Sequence, residues 1–380
     1  PPSPDARRPT RVGLPARLQA LLTRTGSFVL AGGLLWLALR GVDLRAVGDD
    51  FSAGDYRWLL PLIAVALGAH ALRAWRWRLL LAGLPDARPP SLGVAFAAVM
   101  MGYGVNYALP RAGEVVRTGV VARRTGTPFA AVLGTVVLDR LLDVGILAIG
   151  LATVPFLMRD RLEPLGDLFL TPVQERLDGL PPLLLLAVIG VAVAAGIAYG
   201  IHRRTRRIER AEAAHAPTAT TEVSRLRRMT RSFADGLAAL AKAPRRGALV
   251  VSTLGIWGLY LLMAYIPFLL LRTASPYDLT LVDGWCIMLL GAIGMVVPSP
   301  GGAGSFHYVT ILTLTQLWGI GRDDAAAYAV LAHAAQLVVY TVAGALCFLF
   351  LSLLGGGGVN GSAPSPDASP ALHDGSDTAV

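Results

Sequence analysis

Apolar residues in this chain gather into nine long runs, at 27–44, 58–78, 91–109, 129–157, 182–201, 247–271, 281–298, 305–319 and 324–353. A helix needs about 20 such residues to cross the hydrocarbon core of a bilayer. The pattern predicts an all-α polytopic integral membrane protein with about six to eight transmembrane helices. One stretch follows a different rule. Val223, Leu226, Met229, Phe233, Leu237 and Leu240 recur at helical spacing, with Arg225, Arg227, Arg228 and Arg231 among them. This reads as a basic amphipathic helix over 221–241 lying on an anionic leaflet. Docking on the protein's own cytoplasmic face fits the same pattern. The last stretch, 354–380, is low in complexity and predicted to be disordered.

Composition agrees with the pattern. Of 380 residues, 54% are hydrophobic and 16% charged, against about 25% charged in a soluble domain. Cys286 and Cys347 both fall in apolar runs with no metal or disulfide spacing. No metal or cofactor is expected. The net charge of +9 is no sign of nucleic-acid binding, because of where it lies. Residues 1–26 hold five Arg and one Asp, and residues 202–246 hold eleven Arg and one Lys against four acids. Basic loops stay on the cytoplasmic side, which puts the N-terminus and 202–246 inside the cell. RAWRWR at 73–78 reads as an interfacial Arg/Trp girdle.

Those assignments constrain the rest. Residues 83–128 must begin and end inside, so 91–109 is expected to enter, turn at 109–113 and return as 114–125. That is a re-entrant hairpin, which is tolerated where protein or a watery cavity covers it. The second half follows the same plan, with 281–297, then VPSPGGAGSFHY, then a long span. Pro110 and Gly113 correspond to Pro298 and Gly301, with Pro300, Gly302 and Gly304 completing the second tip. The reading is an inverted repeat, an arrangement that builds midplane sites in transporters. The expected segments are a basic tail 1–26, repeat one at 27–201 with its hairpin near 91–125, a basic loop 202–246, and repeat two at 247–353 with its hairpin near 281–319. GIWG at 255–258 and AGG at 31–33 fit close helix packing.

Charges beside or inside these spans are the candidate chemistry. Arg111, Glu114, Arg117, Asp139, Arg140 and Asp143 all lie between 106 and 150. Six unpaired charges at mid-bilayer would cost about 15–20 kcal/mol on insertion scales, so they must pair or face water. Asp139 and Asp143 share one helix face, as do Glu114 and Arg117. A charged head group is the expected occupant: Arg111 and Arg117 would take a phosphate, with the carboxylates balancing them. A lattice of internal salt bridges that pins the hairpin is the structural alternative, and another puts Arg117 at the cytoplasmic interface. His307 and His333 are candidates for a proton or polar relay, although an intramembrane histidine is more often a packing residue, as His70 is expected to be. No catalytic residue is assigned.

NYALPRAGEVVRTGVVARRTGTPFAAVLGTVVLDRLLDV, from Asn106 onward, resembles the first signature of the lysylphosphatidylglycerol synthase transmembrane-region family, also called the flippase-like domain. VPSPGGAGSFHY at 297–308 resembles its second. The chain has one residue fewer between Pro110 and Arg111 than the family often has, and Asp139 where a Glu is common. The resemblance implies a multi-pass protein of the cytoplasmic (inner) membrane, with a membrane lipid as substrate. Bifunctional members carry a soluble aminoacyl-transferase domain, which is not expected here, with 27 residues after the last span. The expected function is translocation of a phospholipid or polyprenyl-phosphate-linked head group between leaflets. Its rivals are an integral membrane transferase acting on a lipid phosphate and a scaffold for a membrane glycosyltransferase. Such a glycosyltransferase and a second copy of the chain are the candidate protein partners.

Overall fold

The computed structural model describes residues 16–85, 88–109, 111–159, 221–297 and 299–355. The expected span 182–201 and the tails 1–15 and 356–380 lie outside the described residues. So do Pro110 and Pro298, each at an expected hairpin tip. Among the described residues the secondary structure is helical throughout: α1 (Ala16–Leu39), α2 (Leu44–Ser52), α3 (Leu59–Leu81), α4 (Leu92–Ala108), α5 (Gly113–Thr125), α6 (Phe129–Leu157), α7 (Thr221–Lys242), α8 (Arg246–Leu270), α9 (Leu281–Gly294), α10 (Ser305–Trp318) and α11 (Arg322–Gly355). This is an all-α membrane protein.

Helix starts follow local chemistry. Ser91 accepts the Val94 N–H at 3.3 Å ahead of α4. Thr280 and Asp283 exchange side-chain and backbone bonds in a capping box that opens α9. The short helix α2 was not foreseen from the runs. It begins where the Asp43 carboxylate accepts the Arg45 N–H at 2.8 Å.

Among the described residues three segments are long and apolar enough to cross a bilayer: Tyr56–Leu81, Arg246–Leu270 and Arg322–Leu353. Helix α6 is longer than the first two but carries Asp139, Arg140 and Asp143 along its length. The helices of the two hairpins are shorter. At 1.5 Å per residue, the 13 residues of α5 and the 14 each of α9 and α10 reach only about 20 Å, against a hydrocarbon core of about 30 Å.

Contacts sort the helix ends into two groups. At one end Asp55 N–H donates to the Leu270 carbonyl at 2.7 Å, Asp43 N–H to Asp323 at 2.9 Å and the Tyr277 hydroxyl to Asp324 at 2.6 Å. At the other, Arg124 donates to the Leu351 carbonyl at 2.6 Å, and Gly83 abuts the Ala239 backbone. The first end is rich in Asp. The second gathers Arg123, Arg124, Arg231, Lys242, Arg245 and Arg246. The pair α4–α5 opens toward the basic end and the pair α9–α10 toward the acidic end. Their turns meet, since Gly301 packs against the Tyr107 ring. Gly301, Gly302 and Gly304 all have positive φ, a region open to glycine at little cost.

Helix α7 is docked on the protein. Ala234, Gly236 and Ala239 are buried, and Gly236 crosses Gly134 of α6 backbone to backbone. Arg228, Met229 and Arg231 remain exposed. A side chain at Gly236 would collide with the Ala131 carbonyl. Overpacking typically costs about 1–3 kcal/mol, so Gly236→Leu is expected to lift α7. Faster protease cleavage within 221–242, with α3 to α6 still protected, is the expected readout. Elsewhere the packing role expected of glycines divides. Gly255 closes on Leu72, whereas Gly32 and Gly33 have open space around them.

Candidate functional site

Four helices converge on a buried lattice of charges. Arg73 and Arg76, one turn apart on α3, face Asp139 and Asp143, one turn apart on α6. Arg76 gives its Nε and Nη2 to Asp139 Oδ1 at 2.9 and 2.6 Å and its Nη2 also to Asp143 Oδ1 at 2.7 Å. Arg73 spans the other oxygens, at 3.0 Å to Asp139 Oδ2 and 2.6 Å to Asp143 Oδ2. Tyr260 of α8 accepts from Arg73 Nη2 at 3.0 Å, and Thr253 accepts from Arg76 at 3.4 Å. Arg73, Arg76 and Asp139 are 2%, 0% and 0% exposed. Pairing and hydrogen bonds on nearly every atom of these three groups offset the cost of burying their charge.

This corrects the sequence reading of RAWRWR. Arg73, Arg76 and Trp77 form no interfacial girdle: they are buried against α6, and Trp77 donates its indole N–H to Thr135 at 3.0 Å. Asp139 and Asp143 draw both α3 arginines inward, which outweighs an interfacial position.

A second pair borders the first. Arg140 Nη2 lies 2.8 Å from Glu114 Oε1 at the start of α5, and these side chains are 37% and 25% exposed. Asn106 of α4 accepts the Gly113 N–H at 2.7 Å and points its amide at Glu114 at 3.5 Å. Gly113 is in backbone contact with Gly102, and this close approach sets Glu114 beside α6. The Tyr103 ring lies under Arg140 at 5.7 Å.

Arg117 stands apart. It is 3% exposed, and none of its three guanidinium nitrogens makes a hydrogen bond. Its Nη1 lies 3.5 Å from Asp139 Oδ2, and its guanidinium lies 5.2 Å from the centre of the Trp77 ring. This burial sets aside the interfacial alternative for Arg117. The lattice thus holds four guanidinium groups (Arg73, Arg76, Arg117, Arg140) against three carboxylates (Glu114, Asp139, Asp143). The charge in excess is positive, and the unsaturated donors belong to Arg117.

Of the residues singled out in the sequence, Asn106, Glu114, Arg117, Asp139, Arg140 and Asp143 are brought together. Arg111 is not. It is exposed, with φ of 65°, and makes no ion pair among the described residues. Arg73 and Arg76, read from the sequence as part of a girdle, were not among the expected site residues. The signal that could have found them is Arg-x-x-Arg on one span opposite Asp-x-x-x-Asp on another.

The second hairpin and α11 carry a separate polar group. His307 and His333 lie 4.8 Å apart between ring centres, with Tyr107 of the first hairpin 5.9 Å from His333. His307 Nδ1 and His333 Nε2 are buried without a hydrogen bond. Ser299 and Ser305 pair through their hydroxyls at 3.0 Å. His70 is packed between the Tyr103 and Tyr340 rings at 4.3 and 4.4 Å. Among the described residues no cluster of three or more His, Cys, Asp or Glu is placed to hold a metal ion.

The fold and the lattice define a multi-pass α-helical membrane protein built around an intramembrane charge cluster. The chain belongs to the lysylphosphatidylglycerol synthase transmembrane-region family, whose model matches residues 25–344. No curated protein and no solved structure matches it. Membership points to a role connected with membrane lipids.

Proposed function

We propose that this protein is a lipid translocator, and that the partly open cluster between α4, α5 and α6 receives the phosphate of a lipid head group. The observation that carries this reading is Arg117: a buried guanidinium with no hydrogen bond, in a lattice with one positive charge to spare. Leaving buried donors unmade is costly, and an incoming phosphodiester would satisfy them with paired N–H···O bonds. Arg140 and Glu114, the exposed members, form the entrance. The acyl tails stay in lipid.

The short paired helices support the transport reading. In this reading α4–α5 and α9–α10 are re-entrant hairpins from opposite faces, members of an inverted repeat whose tips meet at Tyr107 and Gly301. Movement of one repeat against the other would give alternating access. The basic end faces the cytoplasm, by the excess of Arg and Lys there, and with it the N-terminus, in the cytoplasmic membrane. The exposed Arg228 and Arg231 of α7 then lie toward an anionic leaflet.

The reading is tested by reconstituting the purified protein in liposomes that carry fluorescent lipids of differing head groups. The expected result is accelerated loss of inner-leaflet fluorescence to an impermeant quencher, for phosphate-bearing lipids. Unchanged transbilayer rates for every phospholipid and polyprenyl phosphate tried, with and without ion gradients, would overturn it. Covalent change of the lipid in the same vesicles would favour the transferase.

A further inference from the structure

We infer that the outer side of α1 carries a second lipid site, which seats an anionic diacyl phospholipid at the acidic end of the molecule. It shares no residue with the charge lattice, and it stands whether or not the protein translocates lipid.

A groove of about 490 Å³ lies between α1 and α10, within the range of about 300–1,000 Å³ for small-ligand clefts. Its floor and walls are apolar: Leu37, Ala38, Ile311 and Leu312. Arg40, Arg322 and Tyr308 complete its lining. A second groove of about 370 Å³, walled by Leu35, Trp36 and Leu39 of α1, shares Arg40 with the first. Two apolar channels that meet at one arginine match a head group with two chains.

The electrostatics select the sign of that head group. Arg322 Nη2 donates to the Ala38 carbonyl at 3.3 Å, and Arg40 lies over the Trp36 ring at 5.5 Å. Neither makes an ion pair among the described residues, although this end is rich in Asp. Of the neighbouring acids, Asp323 is engaged with the Asp43 N–H and Asp324 with Tyr277. Two arginines beside an apolar cleft, on a chain whose composition demands a bilayer, offer a phosphodiester the fork of donors that guanidinium supplies best.

The test is native mass spectrometry of the protein in mixed micelles holding phosphatidylglycerol and phosphatidylcholine in equal amounts. The wild type is expected to retain phosphatidylglycerol at least tenfold in preference. Arg40→Gln/Arg322→Gln should lose one bound anionic lipid. Leu312→Trp keeps both arginines and narrows the groove, and should lose it too, which guards against misfolding of the double variant. A photoactivatable phosphatidylglycerol should label peptides containing Leu37 or Leu312. Equal retention of the two lipids, unchanged binding in both variants or labelling confined to other helices would overturn the inference. Displacement of the bound lipid by millimolar inorganic phosphate would also overturn it, by assigning the arginines to a soluble anion.

Discussion

Asp139→Ala is expected to destabilise this protein more than any other single change in the charge lattice, by about 3–5 kcal/mol, the range for breaking a buried ion pair from one side. The carboxylate accepts from Arg73 and twice from Arg76, and Arg117 lies near it. Its removal leaves Arg73 and Arg76 to share Asp143 alone and takes from Arg117 its one neighbouring carboxylate, where water does not reach. Asp143→Ala should cost less, because its side chain is 15% exposed and water can replace part of what is lost. Thermal unfolding in detergent, followed by loss of the monodisperse chromatography peak, gives the ranking. A double-mutant cycle with Arg76→Met locates the cause. Removing both partners should recover part of the loss, since the penalty lies in the unpaired charge. Additive losses would show that the pair is not the seat of the effect.

The second large effect is expected at Gly113. Its Cα is held against the Gly102 carbonyl, with Asn106 beside it. A valine there has no room, because the obstacle is backbone and cannot rotate away. Gly113→Val should push α5 off α4 at a cost of about 3 kcal/mol, the upper part of the overpacking range. The displacement also moves Glu114 away from Arg140. Gly119 of the same helix faces open space, so Gly119→Ala should leave the unfolding temperature nearly unchanged. Comparable losses at the two positions would argue against close helix approach as the cause.

Much of the fold was legible because apolar runs and helices obey the same length rule. The run 129–157 has the bounds of α6, and 247–271 differs from α8 by one residue at each end. The first span was less legible. Its run begins at 27, whereas α1 starts at Ala16 in a stretch of mixed polarity, and residue 44, the run's last, already opens α2. The site was half legible. A cost argument showed that Asp139 and Asp143 need partners, and Arg140 was the adjacent cation. Neighbours in a helix do not face each other, however. Arg140 points to Glu114, and the true partners sit on α3, about 65 residues earlier in the chain. Their local surroundings, tryptophans between arginines, look the same at an interface as in a core. Arg111 lies apart from the lattice for the opposite reason. Its position in the tip motif was clear, but only backbone geometry reveals the left-handed turn that leaves it exposed.

That difference between two arginines supplies the most direct measurement. Transbilayer movement of a fluorescent phospholipid would be followed in liposomes holding the wild type, Arg117→Gln or Arg111→Gln at equal protein content. A buried guanidinium that receives the head-group phosphate predicts at least a tenfold loss of rate for Arg117→Gln, from the loss of charge-assisted bonds worth about 1.5–3 kcal/mol. Arg111→Gln should stay within about twofold of the wild type, as befits a surface charge. Equal rates for Arg117→Gln and the wild type, or a loss confined to Arg111→Gln, would contradict the account.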